Sequence, residues 1–80
     1  MNPSSPRPVP DEELLAVHES VDALARHDAQ AGEVVKLRYF IGLTLEETAA
    51  TLGVSPRTAG SLWEYGRAWL LREIQRQRER

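Results

Sequence analysis

The chain has no cysteine and only one methionine and one phenylalanine in its 80 residues. Without thiols there is neither a disulfide framework nor a thiolate metal site, so a hydrophobic core alone must hold the fold; such usage fits a reducing cytoplasm. No apolar run approaches the roughly 20 residues that span a bilayer, and the N-terminus lacks the apolar centre of a signal peptide. A cytoplasmic protein without membrane contact is expected. Histidine is as scarce, with His18 and His27 the only two. They lie nine residues apart on or beside a partly exposed helix, which predicts solvated side chains rather than ligands. His18-Glu19 opens like a zinc-protease helix, but Asp22 stands where the second histidine belongs. There is no strand signal, no internal repeat and no glycine-rich phosphate loop. The carboxylates fall where helix starts and solvated faces account for them. An enzyme is not expected, nor a metal or other cofactor.

What is present is charge of both signs, unevenly placed. The formal net charge is −2. Residues 1–32 carry two basic against six acidic side chains, whereas residues 33–80 carry eight basic against six acidic. The basic surplus is therefore confined to the second half, and it is small enough to predict weak non-specific affinity for nucleic acid. Eighty residues make one domain near the lower limit for a single core.

The stretch that organises the second half runs from Thr44 to Leu70. Thr44 and Glu47 have the spacing of a capping box, so a helix starts at Leu45. Leu45, Ala49 and Leu52 then share one face, and Gly53 follows where a left-handed backbone is cheap for glycine. Val54 is placed to plug the angle before the next helix. Ser55-Pro56 is a helix start, an N-cap followed by proline at the first helical position. Ala49 and Gly53 are the expected point of closest approach between the two helices. This is the pattern of a helix-turn-helix, whose second helix lies in the DNA major groove. An ordinary helical hairpin is the plainer alternative.

The remaining elements follow from the same rules. Met1–Pro10 holds four of the five prolines and reads as an extended tail or linker, which leaves a domain over residues 11–80. Asp11 is the expected cap of a first helix, with Leu14, Val17, Val21 and Leu24 on its inner face and an end near Arg26 or His27. Asp28 caps a second helix, Ala29 to Ile41, with Val34, Leu37 and Ile41 inward, Phe40 beside them and Gly42 as the stop. Lys36 and Arg38 point elsewhere, as phosphate contacts or as a solvated basic face. The last helix runs from Pro56 to about Gln77. Its inner stripe is Ala59, Trp63, Gly66, Leu70 and Ile74, flanked by Leu62, Trp69 and Leu71. The fold expected is all-α: four helices around one core, without a wing.

Several of these segments match a known family. Val35-Lys36-Leu37-Arg38-Tyr39-Phe40-Ile41-Gly42-Leu43-Thr44, Glu46-Glu47-Thr48-Ala49 and Leu52-Gly53-Val54-Ser55-Pro56-Arg57-Thr58 carry the likeness, with Trp63 and Arg67-Ala68-Trp69-Leu70 completing it. From about Leu14 to Ile74 the chain resembles the C-terminal region-four domain of extracytoplasmic-function sigma factors of bacterial RNA polymerase. The resemblance implies a four-helix domain that reads the −35 promoter element of double-stranded DNA while bound to the polymerase. It also implies contact with the polymerase β-subunit flap, and an anti-sigma factor as a further possible partner. The family's other domain, which reads the −10 element, has no room here, and the proline-rich start looks like the linker between the two.

The likeness falters at the reading head. Relatives follow the threonine that matches Thr58 with an aliphatic residue and then polar, often basic ones; here the stretch is Ala59-Gly60-Ser61-Leu62, and Glu64 stands where a basic residue is common. Gly60 offers no side chain and weakens a helix by ~1 kcal/mol relative to Ala. Two accounts remain open. The head reads a different sequence, with Ser61 and Glu64 bonding bases and Glu64 accepting from cytosine N4; or DNA reading is lost and the domain binds protein. The expected DNA-contacting residues are Ser55, Arg57, Thr58, Gly60 (by position), Ser61 and Glu64, with Arg38, Thr44 and Arg67 on the backbone. Leu62, Tyr65 and Trp69 are the candidates for an apolar protein interface. A monomer is expected in isolation.

Overall fold

The computed structural model describes residues 11–79, with side chains from residue 15 onward, and every regular element in it is helical. The expected tail at Met1–Pro10 lies outside the described residues. Helix α1 spans Asp11–His27. Asp11 is its first residue; the side chains of Asp11 and Leu14 are likewise outside the description. Val21 and Leu24 are buried and Val17 packs beside them, as the helical spacing requires. Asp28 alone separates α1 from α2, Ala29–Val35, and its Oδ1 accepts from the Ala31 amide at 3.0 Å. So short a connection forces the two helices together. Gly32 makes this possible: a Cβ there would stand 2.7 Å from the backbone Cα of Ala25.

The second helix departs from expectation. From Lys36 to Ile41 it widens into a π-helix, ending at Gly42 with φ 88°. The amides of Gly42 and Leu43 both donate to Leu37 O at 3.0 Å. An extra residue in a turn sets later side chains back by about 100°. Ile41, expected inside, is therefore turned out and 65% exposed; Val35, ahead of the widened turn, is buried in the core.

Helix α3, Leu45–Leu52, begins with both bonds of the capping box: Thr44 Oγ1 accepts from Glu47 N at 3.0 Å, and Glu47 Oε1 accepts from Thr44 N at 2.8 Å. Gly53 closes it with φ 71°, and Ser55 caps α4, Pro56–Arg78. The expectation that Gly53 lies at the closest crossing is corrected. A Cβ on Gly53 would meet nothing within 4 Å, so its role is the left-handed backbone. Ala49, the other expected contact, is buried, and the tightest approach of α4 is to α2 at Gly66, where a Cβ would stand 2.8 Å from Val35 Cγ2.

Helix α4 crosses the whole domain. It packs Leu62, Trp63, Trp69 and Leu70 against the cluster of Val21, Leu24, Ala31 and Val35. Near its end Gln77 Nε2 donates to Ser20 Oγ on α1 at 3.4 Å. Leu71, expected to flank the buried stripe, is 58% exposed. The described fold is a four-helix, all-α domain in which the pair α3–α4 forms the helix-turn-helix.

Candidate nucleic-acid interface

Capping chemistry decides how α4 starts, and it occupies several of the expected contact residues. Ser55 Oγ accepts from the Thr58 amide at 3.1 Å and donates to Thr58 Oγ1 at 3.0 Å. Thr44 is held likewise in the α3 box. All three remain exposed, so their hydroxyls lie at the surface while they fix the two helix starts.

Beyond the cap, periodicity sets the face. Ala59 and Gly66 are buried, which turns Arg57, Ser61 and Glu64 to the opposite side at i, i+4 and i+7. All three are exposed and form one unbroken stripe along the first half of α4. Gly60 lies beside the stripe rather than on it, next to α3: a Cβ there would sit 3.5 Å from Leu45 Cδ2.

The arginines are less free than the sequence suggests. Arg67 Nη1 donates to Glu64 Oε1 at 3.4 Å, and its guanidinium carbon stands 5.8 Å from the Trp63 ring centroid. Arg38 is also at Trp63, at 5.0 Å, and its Nη1 donates to Leu43 O at 2.9 Å. Arg38 Nε is buried without a hydrogen-bond partner. Arg38 thus braces the loop that enters α3 and is itself half-buried. Lys36 is paired with Glu33 at 3.8 Å. Arg57 has no ion-pair partner among the described residues.

The three apolar candidates divide. Leu62 is half-buried against the core cluster. Tyr65 and Trp69 share His27, which is exposed as expected but has ring neighbours that the sequence did not signal. Its Nε2 lies 2.7 Å from Tyr65 Oη and its ring stacks on Trp69 at a centroid distance of 5.7 Å. No local spacing could have disclosed this, since His27 and Tyr65 are 38 residues apart. His18 stacks on Phe40 at 4.7 Å. A second feature the sequence did not signal is an apolar groove of about 310 Å³ between α1, the second helix and α4. Val17, Tyr39, Trp63, Leu71 and Ile74 line it, with Arg67 at its edge.

The family model described as ECF sigma factor matches residues 5–76. No curated protein and no solved structure matches the sequence.

Proposed function

The chain belongs to the ECF sigma factor family and acts in transcription initiation; from that premise we propose that it is a promoter-reading domain that lays the first half of α4 in the major groove of a −35 element. It is a binding module of a transcription-factor family and works in the cytoplasm with RNA polymerase. The observation that carries this reading is the stripe of Arg57, Ser61 and Glu64, three exposed polar side chains in register on a helix whose start is fixed by Ser55 and Pro56. Base edges need such a row of donors and acceptors, and phosphates at the groove walls are met by Thr44, Thr58 and Arg38. A selection from random duplexes, made with the chain bound to RNA polymerase core, tests it. A recurring short motif is expected, and Ser61→Ala blurs one of its positions. Binding that falls with salt yet enriches no sequence overturns base reading.

A second contact, to protein, is supported by the apolar groove. Tyr39 and Leu71 on its rim are 62% and 58% exposed. Family membership points to the polymerase β-flap as the occupant, in preference to an anti-sigma factor. Leu71→Lys should leave thermal stability unchanged and weaken binding to polymerase core at least tenfold. Unchanged core binding moves the contact elsewhere.

A further inference from the structure

We propose that Arg67 is a positioning residue for base reading, holding the Glu64 carboxylate as an acceptor for a cytosine amino group, so that the site carries a C·G pair opposite Glu64. The inference rests on the DNA-reading function proposed above. A carboxylate on a reading face is ordinarily repelled by the phosphates on either side of the groove. Here Arg67 Nη1 lies 3.4 Å from Glu64 Oε1 and offsets that charge. Oε1 alone is engaged, which leaves Oε2 to accept from a base.

Arg67 is itself steadied. Its guanidinium lies at Trp63, a half-buried ring packed on the core, and Arg38 lies at the same ring, anchored on Leu43 O. The contacts run from the Leu43 carbonyl through Arg38, Trp63 and Arg67 to Glu64, and connect an exposed carboxylate with the scaffold of the motif. An isolated exposed pair contributes little and wanders; one leaning on a packed aromatic ring has fewer positions to choose from.

The chemistry of the groove then selects the base. Only cytosine N4 and adenine N6 present donors there. Adenine sets the N7 acceptor beside N6, where it repels the second carboxylate oxygen. Cytosine has no acceptor on its own major-groove edge, so a carboxylate prefers it. Glutamine, with one donor and one acceptor, matches adenine instead.

The test repeats the random-duplex selection with polymerase core for the parent, Glu64→Gln, Arg67→Gln and Arg67→Lys. The parent should enrich cytosine at one position, and Glu64→Gln should change that position to adenine by roughly tenfold. Arg67→Gln should weaken the cytosine preference there while neighbouring positions hold, with Arg67→Lys restoring part of it. A motif that Glu64→Gln leaves unaltered overturns this inference and leaves DNA reading in place. A loss in Arg67→Gln that is even across all positions makes Arg67 a phosphate contact and overturns its positioning role. No motif from any of the four proteins overturns both readings.

Discussion

Three glycines lie within helices, and contact geometry separates the two that leave no room for a side chain from the one that does. A methyl at Gly32 would strike the backbone of Ala25 at 2.7 Å, and backbone cannot step aside. Gly32→Ala should therefore destabilise by about 1–3 kcal/mol despite the better helix propensity of alanine. At Gly66 the obstacle is Val35 Cγ2 at 2.8 Å, a side chain already locked in the core. At Gly60 the nearest atom is Leu45 Cδ2 at 3.5 Å, an ordinary contact. Gly60→Ala should stabilise by roughly 0.5–1 kcal/mol. Chemical denaturation of the two variants checks the opposite signs, and equal shifts would contradict the packing described. Leu62 belongs to the same scale. Because it is half-buried against the core, Leu62→Lys should cost about half of the roughly 1.5–3 kcal/mol of a fully buried leucine side chain. A variant as stable as the parent would place Leu62 outside the core.

Among the elements, those with complete end signals formed where the spacing put them. Thr44 and Glu47 satisfy each other's backbone groups within one turn, so α3 starts at Leu45 whatever lies around it. Thr44→Ala removes one of those bonds and should cost about 1 kcal/mol, with faster amide exchange at Glu47 and Thr48 and little change in α1. Exchange rates that rise evenly over the domain would show instead that α3 is held by packing alone. The second helix had a cap at Asp28 and a stop at Gly42, and both formed. Between them no residue announces that the turn over Lys36–Ile41 widens. That widening is what turns Ile41 to solvent.

At the scale of the whole molecule, the domain measures 39 × 35 × 15 Å. Its radius of gyration of 13.9 Å exceeds the roughly 12 Å of a compact chain of this length. Such a slab has a thin core and leaves the groove beside Tyr39 and Leu71 open, which suits a domain that works against a larger partner. The charge divides along the chain in the same sense, acidic in the first half and basic in the second. Few cations lie near the proposed reading face, with Arg57, Arg67 and the half-buried Arg38 the candidates. Non-specific duplex binding by the isolated chain should thus show a shallow salt dependence, with a log–log slope of about −3 or less steep from some 0.9 per phosphate. Titration at several salt concentrations measures it, and a slope near −6 would mean that the arginines of the α4 tail also sit on DNA.

The sequence by itself determined the helices' limits, the two left-handed glycines and the outward stripe of Arg57, Ser61 and Glu64. These depend on groups within one or two turns of each other: a hydroxyl and the amide three residues on, a proline after its cap, a period of 3.6. The Arg67–Glu64 pair is equally local, at i, i+3, although the sequence pattern pointed each of the two residues to DNA on its own. Tertiary structure alone decided which glycine is a crossing point, that Arg38 is partly spent on Leu43 O and Trp63, that His27 joins Tyr65 and Trp69, and that an apolar groove stays open. Each of these depends on which surfaces meet when four helices share one small core. Side chains tens of residues apart acquire a common neighbour only after the backbone has placed them, and no local spacing encodes that neighbour.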